Sequence, residues 1–132
     1  NQRKTNKVAL FFARHNINMQ KQLEKTKNFD LKNASGEIIG SLQLFHESPK
    51  SVNITWLGVN KKQEGNGYGQ AAMKMAEKYA RKSGATQLTL EVPANSPNAR
   101  HIYEKQGFIV QGELPDPSGI WGGSLTSMKK KL

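Results

Sequence analysis

Between Leu57 and Gln70 the chain reads L-G-V-N-K-K-Q-E-G-N-G-Y-G-Q. Three glycines at every second position, Gly65, Gly67 and Gly69, let the backbone bend sharply and approach a ligand with no side chain in the way. The apolar run ending at Val59 reads as a strand. Gln70 to Lys82 reads as a helix that opens directly after the loop. The first N–H groups of such a helix have no partner of their own and carry the positive end of its dipole. A strand, a bare loop and a helix N-terminus together make a site for a pyrophosphate, and so for a nucleotide-like cofactor. The loop lacks the lysine and hydroxyl of a P-loop, and it lacks the full dinucleotide spacing. Taken alone, the glycines are also compatible with a tight surface turn.

The elements that must hold this loop can be read from pattern. Asn6 to Lys25 mixes apolar residues at roughly helical spacing and predicts one or two short helices broken near Asn16-Ile17-Asn18, with a strand over Val8 to Ala13 as the alternative. Phe29 to Leu31 and Glu37 to Phe45 flank the turn signal Asn33-Ala34-Ser35-Gly36. Ser51 to Val59 is a further strand. In the helix after the loop, Ala72, Met75, Ala76 and Tyr79 form the apolar stripe, and Gly84 stands where a C-terminal cap belongs. Strand Gln87 to Val92 puts Leu88, Leu90 and Val92 on one face and Gln87, Thr89 and Glu91 on the other.

A second helix starts at Ser96 as N-cap with Pro97 in its first position, and ends at Gly107. Ala99, Ile102, Tyr103 and Gln106 share one of its faces, which turns Tyr103 toward the sheet. Phe108 to Gln111 and Ser124 to Lys130 supply the last strands, joined by a loop holding Pro115, Pro117, Gly119 and Trp121. No internal repeat is present. The pattern is α+β, with a mixed sheet and helices on both faces, in a single domain over residues 1–132.

Composition narrows the function. The chain of 132 residues has no cysteine, no run of 18 apolar residues and no signal peptide. It therefore has no disulfide framework or membrane span, and a cytoplasmic location is expected. The missing initiator methionine reads as a trimmed or processed start. Twenty Lys and Arg against ten acidic residues give a net charge of +10. That surplus favours anionic ligands such as a phosphate-bearing cofactor. It is equally compatible with a solvated lysine-rich surface, and an RNA partner stays open. His15 and His46 have no partner cluster, so no metal site is expected.

The segment L-x-V-x-x-x-x-x-G-x-G-x-G before a helix resembles the coenzyme A signature of the GNAT N-acetyltransferase superfamily. Downstream, A-R-H-I-Y-E-K-Q-G-F (Ala99 to Phe108) is similar to that family's last helix and following strand, A-x-x-x-Y-x-x-x-G-F. The resemblance covers roughly residues 28 to 132, and the family's N-terminal strand is missing or degenerate here. It implies a mostly antiparallel sheet with a V-shaped splay between the central strands, where the pantetheine arm of acetyl-CoA lies like an added strand. It also implies transfer of the acetyl group directly to a primary amine on a peptide, a protein or a small molecule. With no cysteine and no triad to activate a serine, the amine attacks the thioester itself.

Carried over by position, the backbone of Leu57 and Val59 would bind the arm. The N–H groups of Gly65, Asn66, Gly67, Tyr68 and Gly69 would hold the pyrophosphate. Tyr103 matches the tyrosine that donates a proton to the thiolate, with a core aromatic as the plainer reading. Glu91 is the general-base candidate, because the spacing of L-E-V to Tyr103 resembles that in ribosomal-protein N-terminal acetyltransferases. Burial near Tyr103 would raise its pKa; a solvated strand residue is the alternative.

The chain departs from the pattern at two points. Glu64 stands where the family carries Gln or Arg, and its charge would weaken binding unless it points outward. Ser96 stands where an asparagine often contacts the arm, and Asn98 is the preferred substitute, with Asn95 on the other flank. His101 falls on the outward face of its helix. Trp56 and Trp121 could line the acceptor mouth, although for Trp56 core packing is the expected role. An α-amino group, with a pKa of about 8, needs less help from a base than lysine at about 10.4. Two alternatives stand beside this reading: acetylation of an RNA-linked amine such as aminoacyl-tRNA, and a non-catalytic coenzyme A-binding module. The protein would act as a monomer or homodimer without a membrane.

Overall fold

The computed structural model describes residues 25–116 and 123–132. The expectations for the segment before Lys25, and for His15, Pro117, Gly119 and Trp121, lie outside those residues. Strands β1 (Thr26–Lys32) and β2 (Ile38–Ser48) form an antiparallel hairpin. Asn33 closes its turn: the side-chain oxygen accepts from the N–H groups of Ser35 and Glu37, each at 3.0 Å. Gly36 takes the left-handed conformation that the turn requires (φ +84°). Strand β3 (Ser51–Val59) returns antiparallel to β2.

Helix α1 (Tyr68–Lys82), strand β4 (Gln87–Pro93), helix α2 (Pro97–Lys105) and strands β5 (Ile109–Pro115) and β6 (Ser124–Lys131) complete the order. The six strands lie as β1-β2-β3-β4-β6-β5. Among the described strands only β3 and β4 run parallel, as the helical crossover through α1 between them requires. The mixed α+β sheet expected from the sequence is thus present. Strand β5 runs about four residues past its expected end, and Phe108 precedes it.

Alternation along the strands sorts the residues. Leu42, Leu44, Val52, Ile54, Leu88, Leu90 and Val92 join one apolar cluster, on which α1 lays Ala72, Met73, Ala76 and Ala80. The expected stripe is therefore rotated: Met75 is 42% exposed, and Met73 and Ala80 take its place. The reason is steric. Alanines at i, i+4 and i+8 let the helix come close to the sheet, and that leaves the longer Met75 at the margin. Tyr79 also sits at the edge, with its hydroxyl 2.6 Å from His46 Nε2 and its ring edge-on to Phe29. Helix α2 packs Ala99 and Tyr103 against the same cluster, while Ile102 is exposed rather than inward.

One ion pair ties α1 to β6. Lys130 Nζ lies 3.0 Å from Glu77 Oε2, with both side chains about three-quarters shielded. This hydrogen bond, helped by Arg81, holds the Glu77 carboxyl below its ordinary pKa. Glu77→Gln is expected to cost about 0.5–1 kcal/mol of stability at neutral pH. A lowered pKa stabilises the fold above the unfolded carboxyl value, and that contribution is lost as pH falls through the folded value. The gap between wild type and variant in urea midpoints should therefore close below about pH 4.

Among the described residues no helix is long and apolar enough to cross a membrane. None of them forms a His, Asp or Glu group able to hold a metal ion.

Candidate active site

Strands β3 and β4 pair only at Ser51↔Gln87, Val52↔Leu88 and Asn53↔Thr89. Beyond that point they part. Among the described residues, the edge of β3 from Ile54 to Val59 that faces β4 has no strand partner, although β2 still pairs its other edge. An open strand edge offers backbone N–H and C=O groups to any extended ligand. Leu57 and Val59 lie on this free arm, with side chains packed against the core and backbone available.

A bulge sets this arrangement. Leu44 pairs with Ile54 but Gln43 pairs with Trp56, so Thr55 is the extra residue and the alternation flips across it. That flip explains why Val52 and Ile54 face the helices before the bulge while Leu57 and Val59 do so after it. It also corrects the expectation for Trp56. The indole is half-buried on the opposite, polar face, where Nε1 donates to Ser41 Oγ at 3.1 Å and the ring lies over Gly58.

The glycine loop follows the open edge. Gly65 and Gly67 have φ of +85° and +82°, a region other L-residues rarely enter, and no atom stands within 4 Å of a Cβ built at Gly65, Gly67 or Gly69. Ala71 N–H, bonded to Gly67 C=O, opens the α1 ladder. The N–H groups of Tyr68, Gly69 and Gln70 are left at the helix start without an intrahelical acceptor. Asn66 turns its side-chain nitrogen back to Gln63 C=O (3.2 Å). Tyr68 is half-buried against the core. Glu64 is exposed and extended, away from any described ion pair. Nearby, a cavity of 580 Å³ beginning at Gln70 carries Lys74, Lys78, Arg81, Lys82 and Lys130 on its walls.

The acid and base candidates lie on opposite faces of the sheet. Tyr103 packs on the helix side, edge-on to Phe108 with ring centroids 5.9 Å apart. Burial pushes its phenol pKa up, so it stays protonated past the usual tyrosine range. Glu91 is 8% exposed and faces the polar side, beside Ser127 of β6 in register. Glu91 is buried, and strand alternation points it away from the helices that carry Tyr103. Asn98 and Asn95 are exposed at the start of α2, and Ser96 caps that helix without a side-chain hydrogen bond. His101 is exposed, 4.0 Å from Glu104.

Sequence reasoning misses the partners of Glu91. Asn53 Nδ2 donates to Glu91 Oε2 (3.0 Å) and to Thr89 Oγ1 (2.9 Å), and Thr89 Oγ1 donates to Glu47 Oε1 (2.6 Å). A signal is present: Ser51, Asn53 and Thr55 alternate with apolar residues, and asparagine is a poor strand former.

The arrangement can take an extended ligand along β3 and an anion at the α1 N-terminus. The Glu91 carboxylate lies on the polar face two residues beyond the last β3–β4 pair, and the Tyr103 phenol lies on the helix side of the sheet. A profile described as the Acetyltransferase (GNAT) family matches residues 8–108. Among solved structures, a GNAT family acetyltransferase from Elizabethkingia anophelis with acetyl-CoA bound superposes with a TM-score of 0.76 at 16% identity, covering 94% of this chain and 89% of its own. An IAA acetyltransferase from Bacillus cereus gives 0.74 at 20% identity, over 94% and 91%. A chimeric spermidine N-acetyltransferase from Vibrio cholerae gives 0.73 at 19%, over 92% and 75%. No curated protein matches at a significant level.

Proposed function

The chain belongs to the Acetyltransferase (GNAT) family, and from that premise we propose that it moves the acetyl group of acetyl-CoA directly onto a primary amine. The observation that carries this reading is the fork: an open β3 edge leading into a glycine loop and a bare helix N-terminus. The glycine positions fit the cofactor, since a Cβ at any of them would stand in the open space the pyrophosphate needs. Bound there, acetyl-CoA supplies an activated acyl thioester.

The chain's own groups do the rest. Backbone groups of Leu57 and Val59 pair with the pantetheine arm. The N–H groups of Gly65, Asn66, Gly67, Tyr68 and Gly69 hold the pyrophosphate, with Glu64 turned to solvent and Asn98 reaching the arm from α2. Glu91 takes one proton from the acceptor ammonium, and the neutral amine so formed attacks the thioester carbonyl. The second proton, which the nitrogen sheds on becoming an amide, replaces the one Tyr103 gives up. Tyr103 gives its phenolic proton to sulfur as the C–S bond breaks, and its raised pKa keeps that proton in place at working pH. Glu47 and Glu91 lie on the polar face of a chain whose net charge is +10. This local reversal of sign draws a protonated amine. A small amine such as the spermidine named for the Vibrio cholerae neighbour falls in this class, as does a peptide N-terminus.

Calorimetric titration of acetyl-CoA into the protein tests the cofactor, and free-thiol release over a panel of amines tests the reaction. Micromolar binding, on the order of −8 kcal/mol, with turnover on at least one amine is the expected result. No heat, and no competition by coenzyme A, would reduce the glycine loop to a turn.

A further inference from the structure

We propose that Asn53 is a positioning residue for acetyl transfer, its carboxamide at the root of the fork holding the Glu91 carboxylate toward the acceptor. This rests on the reading of Glu91 as the base. Asn53 and Thr89 form the last parallel pair before the strands part. Glu91 lies two residues further on, on the arm of β4 that β3 no longer restrains. Asn53 is fully buried (0% exposed). A carboxamide removed from water must find its hydrogen bonds inside the protein, and here it finds them on both arms.

Its oxygen accepts from Thr55 Oγ1 at 3.0 Å, on the free arm of β3. Its nitrogen donates to Thr89 Oγ1 and, across the root, to Glu91 Oε2. These directions are mutually consistent. Thr89 gives its own proton to Glu47, so its oxygen must accept from Asn53. A flipped amide would set oxygen against two acceptors and NH₂ against the Thr55 hydroxyl. The amide orientation is thereby locked, and a residue of the β3–β4 ladder helps to set where the carboxylate points on the arm of β4 that has left β3 and pairs with β6. Ser51 Oγ, donating to Glu47 Oε1 at 2.8 Å, anchors the far end of the chain. Precise placement of a reacting group matters steeply, because a displacement of about 1 Å can cost about a hundredfold in rate.

A kinetic double-mutant cycle separates this role from simple structural support. Glu91→Gln should lower kcat by about 10²–10⁴-fold. Asn53→Ala should lower kcat by about ten- to a hundredfold with the acetyl-CoA KM within about twofold. The double variant should be no slower than Glu91→Gln alone, because Asn53 acts only through the carboxylate. Losses that multiply, or an Asn53→Ala effect confined to KM, would overturn the proposal while leaving Glu91 as base. Full activity of Glu91→Gln would instead remove the base reading, and this role with it. Thr89→Val preserves volume and loosens one anchor of the amide, so it decides the matter where Asn53→Ala does not fold. It should cut kcat several-fold in the wild-type background and not at all in the Glu91→Gln background. Equal effects in both backgrounds, or none in either, would overturn the proposal.

Discussion

Tyr103→Phe is expected to lower kcat for acetyl transfer by about a hundredfold while leaving the acetyl-CoA KM within about threefold. The substitution deletes one oxygen and keeps the ring. The edge-on contact with Phe108 and the packing against the apolar cluster are retained, so the fold should be unaffected. What disappears is the proton for the departing sulfur. A thiolate expelled without one is a poorer leaving group, and the cost falls on the chemical step rather than on binding. Burial raises the phenol pKa above its ordinary value near 10. The donor form is therefore the one present throughout the neutral range, and any loss of wild-type kcat from ionisation of this group should set in at higher pH than for an ordinary tyrosine. Steady-state kinetics from pH 6 to 10, with a thermal melt as control, make the test. An unchanged kcat in the variant would reduce Tyr103 to a core aromatic and make water the proton source.

Gly67→Ala is expected to weaken acetyl-CoA binding by tenfold or more, equivalent to at least about 1.4 kcal/mol. Two costs are combined in that substitution. At φ +82° an alanine is strained by about 1–2 kcal/mol. Its methyl group would also occupy the open space above the loop, where no protein atom lies within 4 Å. Gly36→Ala separates them. Gly36 has nearly the same conformation (φ +84°) and equally open surroundings, but it sits in the β1–β2 turn. Both variants should lose similar thermal stability, and only Gly67→Ala should lose affinity. Equal affinities in calorimetry would detach the glycine loop from the cofactor, whatever happens to the melting temperatures.

Local chemistry makes much of the fold legible in the order of the residues. Asn33 and Gly36 announce their hairpin because a side-chain oxygen close in sequence satisfies the turn and only glycine tolerates its last conformation. Pro97 and Gly107 bracket α2 for reasons contained within a single turn of helix. Gly84 marks the end of α1 in the same way, with φ +89° and its N–H bonded to Arg81 C=O. Alternation alone assigns Leu88, Leu90 and Val92 to one face of β4 and Thr89 and Glu91 to the other.

Misreadings arise where partners are distant. Met75 fits a helical period as well as Met73 does, and only the approach of α1 to the sheet chooses between them. Trp56 reads as core until the extra residue at Thr55 is seen, since a bulge reverses every side chain beyond it. From its amino acids alone, then, this chain specifies its strands, its turns and the glycine loop at the head of a helix, because those depend on neighbours a few bonds away. The splay of β3 from β4, the placement of Tyr103 and Glu91 on opposite faces of the sheet, and the reach of Asn53 across 38 residues to Glu91 belong to the tertiary structure. They depend on which strand edges meet and where the pairing stops, and no local run of sequence contains that.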